Sequence, residues 1–261
     1  MVDSRRFVES FNRGFRLLSI VCKSDASLSL SELSKISNLS ISTIQRLSYT
    51  LQHLGLLDRD HHTKKFKIGP EMIALSFNVI DNLALKKVAY PHMLQLSKKI
   101  DEVVALAVLS GTQVILIESI KTQQVLNVST SGGITIPLHA TASGKAMLAF
   151  LPENEVDILL GKLNFERFTD NTIVSMEAYK AQLSEVRKRG FAESIDESNH
   201  GLAAVAAPIQ GNDGTVKAAL TVLVPTARVP KTKLIDEYGP QAAEIAERIS
   251  CDLGFRERIS A

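Results

Sequence analysis

Residues 29–55 of this 261-residue chain read SLSELSKISNLSISTIQRLSYTLQHLG, a pattern typical of two short helices joined by a tight polar turn. Ser29 stands before the first helix, and Glu32 follows three residues later, which is the spacing of a capping box. Ser40 is a suitable N-cap for the second helix, and Gly55 can end that helix in a left-handed conformation. The sequence therefore predicts helices over residues 30–37 and 41–54.

The second of these helices is predicted to have one apolar and one polar face. Its apolar residues recur at spacings of three and four, so they share the face that we expect to be buried: Ile41, Ile44, Leu47, Leu51 and Leu54. The opposite face carries hydrogen-bonding side chains: Ser42, Thr43, Gln45, Arg46 and Tyr49. Such a face can read base edges in the DNA major groove. We interpret the two helices as a helix-turn-helix, with Ser31 and Ser40 as further DNA contacts. A helix pair that only builds a core is the alternative.

The segments on either side support the helix-turn-helix interpretation. A helix is predicted over residues 11–23, with a buried stripe formed by Phe11, Phe15, Leu18 and Cys22. Residues 56–57 and 66–68 are predicted as short strands, and the turn between them is rich in cations. A strand, a basic turn and a second strand after a recognition helix form the wing of a winged helix. In this wing Lys64 and Lys65 would contact DNA phosphates.

Charge and composition narrow the class of protein. Residues 1–70 carry 11 Lys and Arg against 6 Asp and Glu, a net charge of +5, and the whole chain is +2, so the remainder is −3. A basic small domain on a mildly acidic larger one fits a phosphate-binding N-terminal domain, and chance clustering of surface charge is the alternative.

No apolar run approaches the roughly 18 residues that span a bilayer, and the N-terminus lacks the apolar core of a signal peptide. Cys22 and Cys251 have neither disulfide-framework nor zinc-site spacing. We therefore expect a cytoplasmic protein without a membrane segment, metal or other cofactor.

Residues 70–85, PEMIALSFNVIDNLAL, are predicted as a linker helix with Pro70 in its first turn. Apolar residues lie on more than one side of this helix, so more than one side has to be buried. The helix is therefore a candidate for packing on the N-terminal domain and on the same helix of a second subunit. An ordinary core helix of the larger domain is the alternative. The predicted division of the chain is 1–69, 70–85 and 86–261.

The rest of the chain is predicted to form an α+β domain. Helices are predicted over residues 86–100, 143–151, 175–189 and 234–253. Strands are predicted over residues 103–109, 113–119, 124–130, 203–209 and 216–224. Turn residues join the first two strands and the last two as hairpins. This order predicts a mixed antiparallel sheet with the helices on one side.

The segment HATASGKAMLAF, residues 139–150, combines small residues with the start of a helix. Free N–H groups at a helix start attract anions, whereas small residues also allow a helix to pack closely on a sheet. Anion binding and close packing are both possible roles of this segment.

An alternative function of the protein is that of an enzyme acting on a small acid, with His139, Lys145 and Glu197 as acid–base groups. A third alternative is a ligand-sensing protein whose N-terminal domain binds protein rather than DNA.

Motifs spread over nearly the whole chain carry a family resemblance. In the N-terminal part these are SFNRGFRLL, LSLSELSKISNLSISTIQRLSYTLQHLGLL and KKFKIGP. In the C-terminal part they are HATASGKAMLAF with the following LPEN, RKRGFAESIDES and AAPIQGNDGTVKAALTVLVP. With these motifs the chain resembles the IclR family of transcriptional regulators. The resemblance implies an N-terminal winged helix, a linker helix and a GAF-like effector domain. It also implies a homodimer or a dimer of dimers on a palindromic double-stranded DNA operator.

By position, the resemblance implies an effector pocket between the helix that follows HATASGKA and the facing sheet. Its wall would include Ala142, Ser143, Ser194, Ala204, Thr221 and Leu223, and Glu197 stands where members commonly have an acid. Ser194, Ala204 and Leu223 replace residues that are more polar in many members. We therefore expect a small organic acid or sugar-derived acid with an apolar portion as effector. Ser143, Glu197, Thr221 and helix-start N–H groups would bind it, and a surface salt bridge is the alternative role of Glu197.

Overall fold

The computed structural model describes residues 7–24, 26–81, 84–122 and 133–255, and the chain divides into two compact units, Met1–Asn82 and Leu83–Ala261. The N-terminal unit contains the helices α1 (Glu9–Cys22), α2 (Leu30–Ser37), α3 (Ile41–His53) and α4 (Pro70–Asp81). Its strands β1 (Leu57–Arg59) and β2 (Phe66–Ile68) pair antiparallel between α3 and α4. This is the predicted arrangement of a helix-turn-helix followed by a wing.

The ends of α2 and α3 are fixed by local hydrogen bonds and by two left-handed residues. Ser29 and Glu32 form both bonds of a capping box at α2, and the Ser40 side chain accepts the N–H of Thr43 at α3. Gly55, with a φ of 69°, follows α3 as predicted. Asn38, with a φ of 58°, ends α2 and makes the tight turn between the two helices.

The predicted buried stripe of α1 is correct at Leu18, which is buried, and wrong at its other three residues. Phe11 and Phe15 are 74% and 60% exposed, and Cys22 is also exposed. The buried face of α1 carries Leu17, Leu18 and Val21. A Cβ added at Gly14 would lie 3.8 Å from Leu47 of α3, so Gly14 belongs to this face as well. Because Gly14 adds no apolar side chain to the pattern, the regular spacing of Phe11 and Phe15 indicates the wrong side of the helix.

The buried face of α3 is shorter than predicted. Ile44, Ser48 and Leu51 are buried and Leu47 is partly buried, all of them in the middle of the helix. Ile41 and Leu54, which were also predicted to be buried, are exposed at its two ends. A 13-residue helix is about 20 Å long, so its terminal turns extend past the small core of this unit.

The C-terminal unit is an antiparallel sheet with helices. Its helices are α5 (Ala84–Ile100), α6 (Ala142–Ala149), α7 (Glu153–Leu160), α8 (Met176–Arg189), α9 (Lys231–Lys233) and α10 (Gly239–Asp252), with a π-helical turn at Leu234–Tyr238. Its strands are β3 (Val103–Ser110), β4 (Gln113–Ile120), β5 (Thr135–Pro137), β6 (Ala192–Ile195), β7 (Leu202–Gln210) and β8 (Val216–Pro225). The strand order is β5-β4-β3-β8-β7-β6. Every strand pair in the described part of the sheet is antiparallel, so that part of the sheet is not mixed as predicted.

Helices cover both faces of this sheet, so the predicted one-sided arrangement is wrong. Residues of α5 and α10 pack with one set of strand residues, which includes Val104, Leu106, Val205 and Val222. Residues of α6, α7 and α8 pack with the alternate set, which includes Val103, Ala105, Ala204 and Ala206. The sequence of β3 begins VVALAVL, with apolar residues at consecutive positions. That pattern is typical of a strand that is buried on both faces.

Other elements differ from the prediction in detail. Both α7 and β6 have no predicted counterpart, and the helix predicted over residues 234–253 begins with the π-helical turn. The predicted linker helix 70–85 is shorter in the structure, because α4 ends at Asp81 and residues 84 and 85 belong to α5. The strand predicted over residues 124–130 lies outside the described residues. Within the described residues, no helix combines the length and the apolar character needed to cross a lipid bilayer.

Candidate nucleic-acid interface and ligand cavity

The predicted reading face of α3 is exposed. Ser42, Gln45, Arg46 and Tyr49 all lie on the surface of the N-terminal unit, and Tyr49 is 72% exposed. Within the described residues the side chains of Gln45 and Arg46 have no hydrogen-bond or ion-pair partner. Their donors and acceptors are therefore available to a partner outside the protein.

The hydroxyl groups at the starts of α2 and α3 take part in capping. The Ser40 hydroxyl lies 2.8 Å from the Thr43 hydroxyl and 3.1 Å from the Ser42 hydroxyl. The Ser31 hydroxyl lies 3.0 Å from the Ser29 hydroxyl. A hydroxyl has one donor and two acceptor positions, so capping does not exhaust these groups. Their position at helix starts suits contact with phosphate oxygens better than the reading of bases.

The turn between β1 and β2 is held by its own side chains. Asp60 Oδ1 accepts the Thr63 N–H at 2.6 Å and the Thr63 hydroxyl at 2.9 Å. The bond from the Thr63 N–H is the main cause that lowers the pKa of Asp60. Arg59 Nε donates to the Lys64 carbonyl at 3.1 Å, and the Arg59 guanidinium lies 5.3 Å from the centre of the Phe66 ring. Arg59 therefore fixes the shape of the turn.

The two predicted wing lysines differ in whether they pair with an acidic side chain of the protein. Lys64 is exposed, and no acidic side chain in the described part of the chain pairs with it. Lys65 Nζ lies 3.8 Å from a carboxylate oxygen of Glu32, and both side chains are about half exposed. Exposed ion pairs of this kind are weak, so Lys65 can exchange Glu32 for a phosphate at a small cost.

A cavity of about 230 Å³ lies in the C-terminal unit. Six of the predicted pocket residues line it: Ala142, Ser143, Ser194, Ala204, Thr221 and Leu223. The cavity is also lined by eight residues that were not predicted: Leu116, Ile134, Ile136, Pro137, Thr141, Ser198, Asn199 and Leu202. Thr141 lies within the HATASGKA segment, Pro137 stands two residues before it, and Ser198 and Asn199 follow Glu197. Sequence proximity was therefore a usable signal for these four residues.

The cavity wall is mostly apolar, and its polar groups are uncharged in the described part of the chain. Thr221 is 3% exposed, and its hydroxyl has no hydrogen-bond partner among the described residues. A buried polar group left without a partner costs about 1–3 kcal/mol. A polar atom of a ligand would remove that cost. The Ser194 hydroxyl, by contrast, donates to the Ala140 carbonyl at 3.1 Å.

The start of α6 forms one end of the cavity. Thr141 caps this helix, because its hydroxyl oxygen accepts the Gly144 N–H at 3.3 Å and its hydroxyl donates to the Pro137 carbonyl at 2.8 Å. A Cβ at Gly144 would lie 1.9 Å from the Leu138 carbonyl oxygen, so the small residues do permit close packing. The N–H groups of Ala142 and Ser143, in the first turn, have no partner within the helix itself. Both residues line the cavity, so these N–H groups are available to an anion bound there.

Glu197 is not among the residues that line the cavity. Its Oε1 lies 2.5 Å from Nζ of Lys145, which is fully buried on α6, so the carboxylate is engaged behind the cavity wall. The alternative of a surface salt bridge is wrong as well, because this ion pair is interior. Burial lowers the pKa of Lys145 and raises the pKa of Glu197, and the attraction between the two groups opposes both shifts.

The three acid–base groups of the enzyme alternative do not come together at the cavity. His139 Nε2 lies 2.9 Å from the Glu166 carbonyl oxygen, and the His139 ring contacts Phe165 and Phe168. Lys145 and Glu197 bind each other instead. In the part of the chain that the structure describes, no three His, Cys, Asp or Glu side chains are grouped as a metal ion would require.

Comparison with known proteins identifies the family. The family described as bacterial transcriptional regulator IclR C-terminal matches residues 77–251, and the IclR helix-turn-helix domain matches residues 10–61. The chain belongs to the IclR family. The resemblance read from the sequence and the predicted α+β fold class are thereby confirmed. IclR-family transcriptional regulators combine a helix-turn-helix DNA-binding domain with a C-terminal effector-binding domain, and this chain has both.

Individual IclR-family relatives match most of the chain. The chain is 32% identical to the probable transcriptional regulator SauR of Cupriavidus necator, over 85% of this chain and 88% of SauR. It is 28% identical to the HTH-type transcriptional regulator XynR of Escherichia coli, over 95% of this chain and 98% of XynR. The crystal structure of Thermotoga maritima IclR is 28% identical, with 95% of this chain and 99% of that chain covered and a TM-score of 0.70. These relatives are named as transcriptional regulators and not as enzymes.

Proposed function

We propose that this IclR-family regulator reads a double-stranded DNA operator with α3. Gln45 and Arg46 contact base edges in the major groove, and Ser42 and Tyr49 extend the same contact surface. The observation that carries the proposal is the exposed polar face of α3, on which the Gln45 and Arg46 side chains have no partner among the described residues. Arg and Gln are side chains that recognise guanine and adenine edges through paired hydrogen bonds.

In this proposal, phosphate contacts fix the position of α3 on the duplex. Lys64 and Lys65 on the wing supply affinity for any DNA sequence. The hydroxyl groups of Ser31, Ser40 and Thr43 bind phosphate oxygens at the starts of α2 and α3. Their location at helix N-termini supports this role, because free N–H groups and the helix dipole favour an anion there.

The active form in this proposal is a homodimer or a dimer of dimers on a palindromic operator. Two copies of α3 then meet successive major grooves about 34–36 Å apart. We keep the predicted division into a DNA-binding domain (1–69), a linker (70–85) and an effector domain (86–261). The helix of the linker is α4, which ends at Asp81, and α4 is the dimer contact. The exposure of Ile73 and Leu75 on α4, 52% for each, supports this assignment, because large apolar side chains are usually covered.

The effector in this proposal is a small organic acid or sugar-derived acid with an apolar portion. The volume of about 230 Å³ favours a small molecule, and the mostly apolar wall favours a ligand that is not polar throughout. The first-turn N–H groups of α6 take the carboxylate. Ser143 and Thr221 bind further polar atoms, and the unpartnered Thr221 hydroxyl supports this role.

The regulatory mechanism in this proposal is a shift between two arrangements of the DNA-binding domains. An acid in the cavity changes the balance only by its different affinity for the two arrangements. Regulation is favoured over catalysis, since Lys145 and Glu197 bind each other and His139 binds a backbone carbonyl. This mechanism uses no cofactor. A regulator of this kind acts in the cytoplasm, because bacterial DNA is located there.

A gel-shift experiment tests the DNA-binding role. The full-length protein is titrated against the DNA upstream of its own gene and against unrelated DNA of equal length, at several salt concentrations. We expect tighter binding to the upstream fragment and a steep loss of affinity as salt rises. Absence of binding at low salt would contradict the proposal and favour a protein partner for the N-terminal unit.

Isothermal titration calorimetry tests the effector role. Acetate, butyrate, benzoate and gluconate form a panel that varies the size and polarity beside one carboxylate. We expect at least one of these acids to bind the wild-type protein and none to bind Ser143→Leu, in which the larger side chain fills the cavity. Ser184→Leu is the matched control, because Ser184 is exposed on α8 of the same unit. Binding that persists in Ser143→Leu would refute the site.

A further inference from the structure

The ion pair between Lys145 and Glu197 is buried in the C-terminal unit. Lys145 Nζ donates to Glu197 Oε1 at 2.5 Å and to the Glu193 carbonyl at 3.2 Å. The other Glu197 oxygen, Oε2, has no hydrogen-bond partner among the described residues. Removing two charges from water costs several kcal/mol per ion, and their attraction often fails to exceed that cost. Stabilisation of the fold alone therefore does not explain why this ion pair is buried here.

The position of the ion pair beside the cavity indicates another role for it. Glu197 directly precedes Ser198 and Asn199, which line the ligand cavity, whereas neither Lys145 nor Glu197 lines it. Lys145 belongs to α6, whose first-turn residues Ala142 and Ser143 line another part of the same cavity. The ion pair thus connects two walls of the cavity from behind.

The backbone of the same segment is held by a second set of bonds. The Thr172 hydroxyl donates to the Glu197 carbonyl at 2.6 Å, and the Thr169 hydroxyl donates to the Asp196 carbonyl at 2.5 Å. Both threonines are buried and belong to the loop between α7 and α8, outside the cavity lining. Glu197 is therefore fixed by its side chain from α6 and by its main chain from this loop.

We propose that Lys145, Glu197 and Thr172 are positioning residues that hold the Ser198–Asn199 wall at a fixed distance from the start of α6. None of the three touches the ligand, and each acts through the wall. The proposal rests on the proposed effector function of the cavity. Its consequence is that ligand affinity depends on buried residues that no inspection of the cavity surface would select.

The test compares variants that loosen the wall in two independent ways. Glu197→Gln weakens the attachment to α6. Thr172→Val removes the shorter of the two hydroxyl bonds to the Glu197 carbonyl and leaves only the 3.3 Å bond from the Thr169 hydroxyl, and Thr172→Ser is the conservative variant that retains both. Glu102→Gln is the control, because the buried Glu102 forms another ion pair of the same unit, with the partly buried Arg228, and neither residue lines the cavity.

Amide hydrogen exchange is the first measurement, and it needs no ligand. The Gly201 N–H donates to Asp196 Oδ1 at 2.6 Å and the Leu202 N–H donates to the Asn199 carbonyl at 3.4 Å, so both report on the wall. We expect exchange at these amides to be at least about tenfold faster in Glu197→Gln and Thr172→Val, with α10 changed less than about twofold. Thr172→Ser should match the wild type, and Glu102→Gln should leave both amides unchanged relative to α10.

Two results would overturn the proposal. One is unchanged exchange at Gly201 and Leu202 in Thr172→Val, a variant that keeps the ion pair and so remains informative if Glu197→Gln does not fold. The other is equal acceleration in the wall and in α10, which would mean that these residues only stabilise the unit as a whole.

Calorimetry with whichever of acetate, butyrate, benzoate and gluconate binds the wild type gives the second measurement. We expect the affinity to fall at least about tenfold in Glu197→Gln and Thr172→Val and to be retained in Thr172→Ser and Glu102→Gln. Unchanged affinity in a variant with faster wall exchange would refute the link to the ligand. If none of the four acids binds the wild type, the effector class fails, and hydrogen exchange still decides whether these residues position the wall.

Discussion

Gly144 and Gly14 both lie inside helices, yet replacing each with alanine should change the free energy of unfolding in opposite directions. A Cβ at position 144 would lie 1.9 Å from the carbonyl oxygen of Leu138 and 2.8 Å from its carbonyl carbon, which are backbone atoms that cannot rotate away. An unstrained contact needs about 3.5 Å, so α6 or the segment that carries Leu138 has to move by about 1.5 Å. At Gly14 the nearest atom is a side-chain carbon of Leu47 at 3.8 Å, and no movement is needed.

These distances set the size of the two effects. Overpacking usually costs about 1–3 kcal/mol, and because both clashing atoms at Gly144 are backbone we expect about 3 kcal/mol there. For a unit of this size that corresponds to a melting temperature lower by about 6–12 °C. Glycine inside a helix costs about 0.5–1 kcal/mol relative to alanine, so Gly14→Ala should stabilise the N-terminal unit by up to that amount.

Differential scanning calorimetry of the full-length protein measures both changes. A loss below about 1 kcal/mol in Gly144→Ala would show that α6 can shift freely, and it would refute the argument that this glycine is required by the packing. A destabilised Gly14→Ala would refute the assignment of Gly14 to an uncrowded contact with α3.

Four further predictions concern the reading helix, the wing lysines, the cavity wall and the turn of the wing. Arg46→Ala should lose about 1–3 kcal/mol of discrimination at the base pair it reads, and unchanged preference in a selection from random DNA would exclude α3 as the reader. Lys64→Ala should reduce the slope of log affinity against log salt by about 1, and Lys65→Ala by less, because Lys65 is partly paired with an acid; a larger effect at Lys65 would contradict this order. Thr221→Val should weaken acid binding in calorimetry yet raise the free energy of unfolding, since it removes a buried hydroxyl without a partner, and a lower free energy of unfolding would count against that reasoning. The folded pKa of Asp60 lies below 3.8, so its stabilisation of the wing is present above pH 3.8 and is lost as the pH falls through the folded value; the Thr63 amide shift in NMR should titrate below pH 3.8, and a midpoint above it would contradict this.

Local interactions made the helix-turn-helix predictable from the sequence. Ser29, Glu32, Ser40 and Gly55 act within three or four residues of their own position, so their types and spacing determine the helix ends. The buried side of α1 could not be found in this way. It depends on Gly14, whose role is visible only when α3 lies against it.

Long-range contacts explain what the sequence could not show about the cavity. The resemblance supplied six lining residues, yet Leu116 enters the wall only through the pairing of β4 with its neighbours. The partner of Glu197 is Lys145, which is 52 residues earlier in the chain, and no local pattern connects the two. Both charges are buried where α6 and the loop between α7 and α8 contact the segment that carries Glu197, and none of these contacts is local in the sequence.

The alternation of side chains along β7 and β8 separates two sets of positions that selection or design can treat independently. Ala204, Thr221 and Leu223 line the cavity, whereas Val205 and Val222 lie in the opposite core with α5 and α10. Changes at the first set alter which molecules fit, while the second set keeps the scaffold intact. A directed-evolution library for a new inducer would therefore randomise the cavity positions and leave their immediate neighbours in sequence untouched.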